Sequence, residues 1–202
     1  MKTAAAFSLL LLAATTARGA DVIKETLRGY EEVPSVSTTA GGTFDATIND
    51  AGTSISWTLK YNSLQGAVQQ AHIHLGNRGV NGSITVFLCT NLGNGPAGTL
   101  ACPAPPATIT GTILAADVTN LANVQGLSSG ELDELIAAMR AGFTYVNVHS
   151  TTWPGGEVRA QIDSLCSVAV GDVNGDHAVD VLDIFYLINF LFAGGAAPST
   201  IC

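Results

Sequence analysis

Three histidines carry the clearest chemical signal in this 202-residue chain. His72 and His74 flank Ile73 in AHIHLGNRGVNG, and His149 lies in YVNVHSTTWPGG. Neutral imidazole nitrogen is a good ligand for copper, zinc and related ions. Alternate side chains of a strand share a face, so His72 and His74 project together while Ala71, Ile73 and Leu75 point to a core. By the same rule Asn147 and His149 share a face opposite Val146 and Val148. After the turn STTWPGG, Val158, Ala160 and Ile162 extend the apolar set, and Glu157, Arg159 and Gln161 the polar one. If this hairpin lies beside the 68–75 strand, His72, His74 and His149 converge, with Asn147, Glu157 and Arg159 around them. Three readings stay open at this stage. One is a hydrogen-bonded surface network of the histidines with Glu157 and Asn147. The second is a mononuclear copper or zinc site. The third is a catalytic metal centre serving redox chemistry, which needs an open coordination position and a supporting shell, with Arg159 available to steer an anion.

A second site is written into the tail. DVNGDHAVDVLD runs from Asp172 to Asp183 and places oxygen side chains at loop positions 1, 3, 5, 9 and 12: Asp172, Asn174, Asp176, Asp180 and Asp183. The backbone carbonyl of Ala178 supplies position 7. Calcium takes six to eight oxygen ligands at roughly 2.3–2.6 Å, and this spacing lets a tight loop turn them inward. His177 occupies position 6, where the sharp turn favours glycine. The closing acid Asp183 falls in the first turn of the helix VLDIFYLINFLFAGG, where negative charge is favoured. That helix is apolar nearly all round and is expected to be buried, on the β domain or against another chain.

The elements that must position the histidines are mostly strands. GGTFDATINDAGTSISWTLKYNSL reads as two strands, 43–48 and 54–61, joined by a hairpin turn at NDAG. Further strands are expected at 68–75, 83–89, 108–114, 143–149 and 157–163. One helix interrupts them: Ser128 and Glu131 form a capping box, Leu132, Leu135, Ile136 and Met139 an apolar stripe, and Gly142 the stop. The fold class is therefore mainly β, an antiparallel sandwich or partly closed barrel with one inserted helix and a small C-terminal calcium-loop–helix segment. Trp57 alternates with Ile55 and Leu59 and belongs to the core; Trp153, in a turn, is the better candidate for contact with a sugar.

Residues 1–20, MKTAAAFSLLLLAATTARGA, have an early lysine, a short apolar run and small residues, the pattern of a secretory signal peptide. The expected organisation is this leader, a β domain over 21–165 and the calcium segment over 166–202, with no transmembrane segment after cleavage. Secretion, to the medium or the cell surface, follows. Eight basic residues face sixteen acidic ones, and losing Lys2 and Arg18 moves the formal charge from −8 to −10. Such a surface excludes a nucleic-acid partner, which needs a basic face. Four cysteines in an exported chain point to two disulfides, expected as Cys89–Cys102 and Cys166–Cys202. No GxSxG, HExxH or P-loop is present, so the reading leans away from an enzyme. Asn81-Gly82-Ser83 is a glycosylation sequon, meaningful only in a eukaryotic secretory pathway.

Two resemblances extend these readings. EEVPSV (31–36), AHIHLGNRGVNGSITVFL (71–88) and YVNVHSTTWPGGEVRAQI (145–162) together resemble the CHRD domain, the repeated module first named in chordin. The likeness spans about residues 24–165 and implies an extracellular β-sandwich-like binding module without settled catalytic residues. Ala160 stands where that family commonly has glycine. The HxH strand is also similar in style to the copper site of Cu/Zn superoxide dismutases, without the remaining histidines or the zinc-site aspartate. The 172–183 loop and its helix resemble one dockerin type I repeat, which implies calcium and an accessory place in extracellular polysaccharide degradation. Dockerins that bind cohesins pair two repeats, and Val181 and Leu182 replace the polar residues that often carry that recognition, so a cohesin partner is not expected. An extracellular protein or glycan is the partner class that fits.

Overall fold

The computed structural model describes residues 21–163, 173–174 and 180–196. Eight strands form one continuous antiparallel sheet: β1 (Asp21–Arg28), β2 (Gly41–Ile48), β3 (Ile55–Asn62), β4 (Val68–Leu75), β5 (Ser83–Thr90), β6 (Ala107–Ile113), β7 (Thr144–Ser150) and β8 (Val158–Ile162). Their order is β5-β4-β7-β8-β1-β2-β3-β6. Residues of the two edge strands, Val86–Leu88 of β5 and Thr110–Ile113 of β6, line one cleft of about 440 Å³ together with Trp57 and the disulfide loop. Of the two architectures expected, the nearly closed barrel is the one adopted.

The strand readings hold, with ends shifted by a residue or two, and the 68–75 strand matches in full. β1 lies outside the strands read from sequence. Its buried positions Asp21, Ile23 and Leu27 alternate with exposed ones, but Lys24, Glu25 and Thr26 dilute the apolar signal. The inner face carries Phe44, Ile48, Ile55, Trp57, Leu59, Ile73, Val86, Leu88, Val146, Val148 and Ile162. Leu132, Leu135, Ile136 and Met139 of α1 (Leu132–Arg140) join that core, as their spacing predicts. The expected capping box is only half present. Glu131 itself occupies the N-cap, and its carboxylate accepts the Ser128 backbone N–H at 2.7 Å. The Ser128 hydroxyl turns instead toward Asn123, at 3.5 Å. Gly142, at φ 78°, ends the helix as expected.

Cys89 and Cys102 form a disulfide closing the loop between β5 and β6. Residues 1–20, Cys166, Cys202, Asp172, Asp176, His177 and Ala178 lie outside the described residues. Helix α2 (Val181–Ala193) forms where the sequence places it, and of the two packings expected for it, on the β domain or against another chain, the first is not adopted. Its apolar side chains are exposed, Phe192 by 82%, while Asp183 is buried. Among the described residues no helix is long and apolar enough to cross a membrane.

Candidate functional site

Strand register builds the histidine cluster. β4 pairs with β7 so that His72 stands opposite Asn147, His74 opposite Tyr145 and Gln70 opposite His149. β7 pairs with β8 so that Asn147 faces Arg159 and Tyr145 faces Gln161. The hairpin thus lies beside the 68–75 strand, the arrangement on which convergence depended. One nitrogen from each of His72, His74 and His149 lies within 4.8 Å of the others. Three of the four histidines in the chain meet here.

The expected surface network is corrected in two respects. First, the histidine face is not solvated: His72 is 0% exposed and His74 7%. Two loops cover it, residues 29–36 and 76–82, which correspond to the EEVPSV and GNRGVNG stretches. The Asn81 side-chain amide donates to the Val33 carbonyl at 3.0 Å, so the sequon asparagine ties the two loops together. Arg78 bridges Glu31 and Asp163 across the outside. Second, among the described residues no hydrogen bond joins Glu157 to a histidine, although the register sets it beside His149. Its Oε1 accepts from the Thr38 hydroxyl and the Gln65 N–H, both at 2.8 Å, and so pins the 38 and 65 loops at the turn end of the hairpin, while Oε2 is buried without a partner.

Carbonyl acceptors fix the tautomers. His74 Nδ1–H donates to the Gly82 carbonyl at 2.9 Å, and His149 Nδ1–H to the Pro154 carbonyl at 3.0 Å. Each Nε2 therefore carries a lone pair, as a metal ligand requires. His72 Nδ1 lies 3.3 Å from His149 Nε2, which leaves His72 Nε2 bare as well. The Nε2 atoms of His72 and His74 are buried with no hydrogen-bond partner. His149 Nε2 faces Asn147 Oδ1 at 3.0 Å, an acceptor toward an acceptor. Burial holds all three imidazoles neutral: it pushes His72 down to about 2 and His74 to about 4, and it lowers His149. Neighbouring imidazoles add to the depression at His72.

The backbone under these contacts depends on glycine. A Cβ at Gly82 would sit 1.6 Å from the Leu75 carbonyl oxygen, so only glycine lets residue 82 pass close enough to hold His74. At Gly156, φ +128°, a Cβ would meet the Glu32 carboxylate at 2.4 Å. Glycine there admits Glu32, whose signal in the sequence was its place in EEVPSV. Glu32 is buried, hydrogen-bonded to Asn147, and raised to about 7 by burial despite the opposing pull of Arg159.

Arg159 and Tyr145 complete the layer. The guanidinium lies 3.4 Å over the Tyr145 ring centroid, a cation–π contact in a dry setting. Its Nη2 donates to the carbonyls of Asn77 and Val80 at 3.0 Å, anchoring the 76–82 loop, and Nη1 is buried without a partner. Gln161 Nε2 reaches the carbonyls of Gly76, Gly142 and Thr144. Sequence reasoning placed Arg159 and Gln161 on this face and missed Tyr145, which shares it with Asn147 and His149.

The family model for the CHRD domain matches residues 23–162. The chain belongs to the CHRD domain family. No curated protein and no solved structure gives a significant match. All three stretches that resembled the CHRD domain in sequence are joined here: one strand supplies His72 and His74, the hairpin supplies His149, and EEVPSV is tied through Val33 to the loop that follows the strand.

Three neutral imidazoles suit copper or zinc. Ligand nitrogens around a tetrahedral ion bound at ~2.1 Å stand roughly 3.4 Å apart, so the cluster needs to draw in by about an ångström. In the tail, Asp183 Oδ1 accepts from the N–H groups of Val173 and Asn174 at 2.7 and 3.2 Å, and Oδ2 from that of Asp180 at 2.9 Å. The closing acid of the expected calcium loop thus faces back into that loop. Asp180 caps α2 through the Leu182 N–H at 2.7 Å. Trp153 donates its indole N–H to Gln65.

Proposed function

We propose that this CHRD domain is an exported binding module organised around one copper or zinc ion, held by His72, His74 and His149. One observation carries the reading: three buried, neutral imidazoles converge, and two present an unpartnered Nε2. A buried polar atom without a partner costs ~1–3 kcal/mol, which a bound cation removes. The acceptor-to-acceptor contact of His149 Nε2 with Asn147 Oδ1 is relieved by a cation in the same way. Asn147 and Arg159 support the ligands: Asn147 contacts His149, and Arg159 anchors the covering loop. Enclosure by two tied loops favours an ion that is held over one that turns over substrate.

The tail is proposed as a single dockerin-like calcium repeat, with Asp172, Asn174, Asp176, Ala178, Asp180 and Asp183 as ligands. Burial of Asp183 against loop amides supports it. The partner class is an extracellular protein or glycan.

Copper(II) titration of the chelator-treated chain, read by electron paramagnetic resonance, tests the histidine site. The proposal expects one copper per chain with nitrogen hyperfine structure, absent in His149→Gln. A correctly folded chain that takes up no stoichiometric copper or zinc overturns it.

A further inference from the structure

The face of α2 turned away from its own loop has the spacing of a helix-pairing seam. Val181, Phe185, Ile188 and Phe192 follow one another at intervals of four, three and four residues, which keeps them on one stripe. They are 56, 61, 47 and 82% exposed. Ile184 and Leu191 flank the stripe and are equally open. Asp183 points to the opposite side, where it is buried against the loop amides.

We infer that α2 pairs with α2 of a second copy of this chain. Four features point to that occupant. The stripe has the a/d alternation that two helices interlock through. The six side chains form one continuous apolar strip, the kind of surface that the core of a specific interface buries. No charged side chain lies on the stripe, so no like charges are buried together when two copies meet there. A membrane span is a poor alternative: a thirteen-residue helix is ~20 Å long, short of the ~30 Å hydrocarbon core. The caps also favour a helix that stops where the seam stops. Asp180 starts it, and Gly194, at φ 70°, ends it. The pairing is independent of the histidine site and brings two β domains into one assembly.

Sedimentation velocity of the full secreted chain in calcium, from 1 to 100 µM, tests the inference beside Phe185→Glu/Phe192→Glu. A dimer for the parent and a monomer for the variant are expected, with unchanged β-sheet circular dichroism and thermal midpoint. Ile188→Cys reads the geometry directly, because residues that face each other across a two-fold seam cross-link to themselves on oxidation. A parent chain that stays monomeric at 100 µM overturns the inference. So does a dimer that survives the glutamates, or flotation with phosphatidylcholine vesicles in place of self-association.

Discussion

His74 and Tyr145 lie face to face, with ring centroids 4.6 Å apart and planes 2° from parallel. Arg159 stands 3.4 Å from the centroid of the same tyrosine, so one aromatic ring joins a candidate ligand to the cation that anchors the covering loop. The ligand layer and the cover are therefore one packed unit. The stability of the domain is predicted to report on groups that a surface network would leave silent.

The metal-free domain should lose stability in acid. Histidines with folded pKa values below the unfolded value near 6.5 contribute stability that is complete above 6.5 and falls as pH drops. Glu32 runs the other way: raised from 4.5 to about 7, it loses stability as pH climbs through that interval. Between pH 4.5 and 6.5 the depressed histidines oppose one glutamate, for a net uptake of protons on unfolding. Urea midpoints should rise over that range, peak near neutrality, and rise less steeply below 6.5 in His72→Gln. A pH-independent midpoint would contradict the buried, neutral assignment.

Gln161→Leu keeps the volume of the side chain and removes its amide. Three carbonyls, those of Gly76, Gly142 and Thr144, lose their shared donor. The predicted cost is about 2–3 kcal/mol in chemical denaturation, because buried acceptors are left unpaired. A change below half a kcal/mol would mean that water replaces the donor, and the cover would then be looser than described.

The Cys89–Cys102 bridge closes a loop over a sequence separation of 13 residues. Replacing both cysteines by alanine should cost about 3 kcal/mol by loop entropy. The histidine face lies on β4 and β7, so copper uptake should survive the change. Loss of uptake together with an intact fold would tie the site to the loop.

The positions that sequence could reach were those governed by alternation. His72 and His74 on one face and Asn147 and His149 on another follow from a two-residue period; the pairing of the hairpin with the 68–75 strand, only a condition in the sequence, brings them together. What alternation could not reveal was the cover. Burial of the polar face depends on contacts such as Asn81 to Val33, 48 residues apart, and on glycines that matter only through what lies against them. Glu32 and Tyr145 enter the site through those distant contacts. A shared face does not fix the direction in which a long side chain reaches: one oxygen of Glu157 bonds Thr38, 119 residues away. In the tail, strong hydropathy implied burial without saying against what; no described element of this chain packs over α2.

Asp183→Asn should weaken calcium binding at least tenfold by isothermal titration, since the closing carboxylate loses its charge. The same variant should load copper or zinc like the parent. Coupled loss of both ions would contradict the assignment of two separate sites.

The most direct measurement is elemental mass spectrometry of the chain purified without chelator or immobilised metal, beside His72→Ala/His74→Ala. The account predicts about one copper or zinc per chain in the parent, none in the double variant, and calcium unchanged in both. Calcium alone in the two proteins, with the parent correctly folded, would contradict it and return His72, His74 and His149 to a buried hydrogen-bond network.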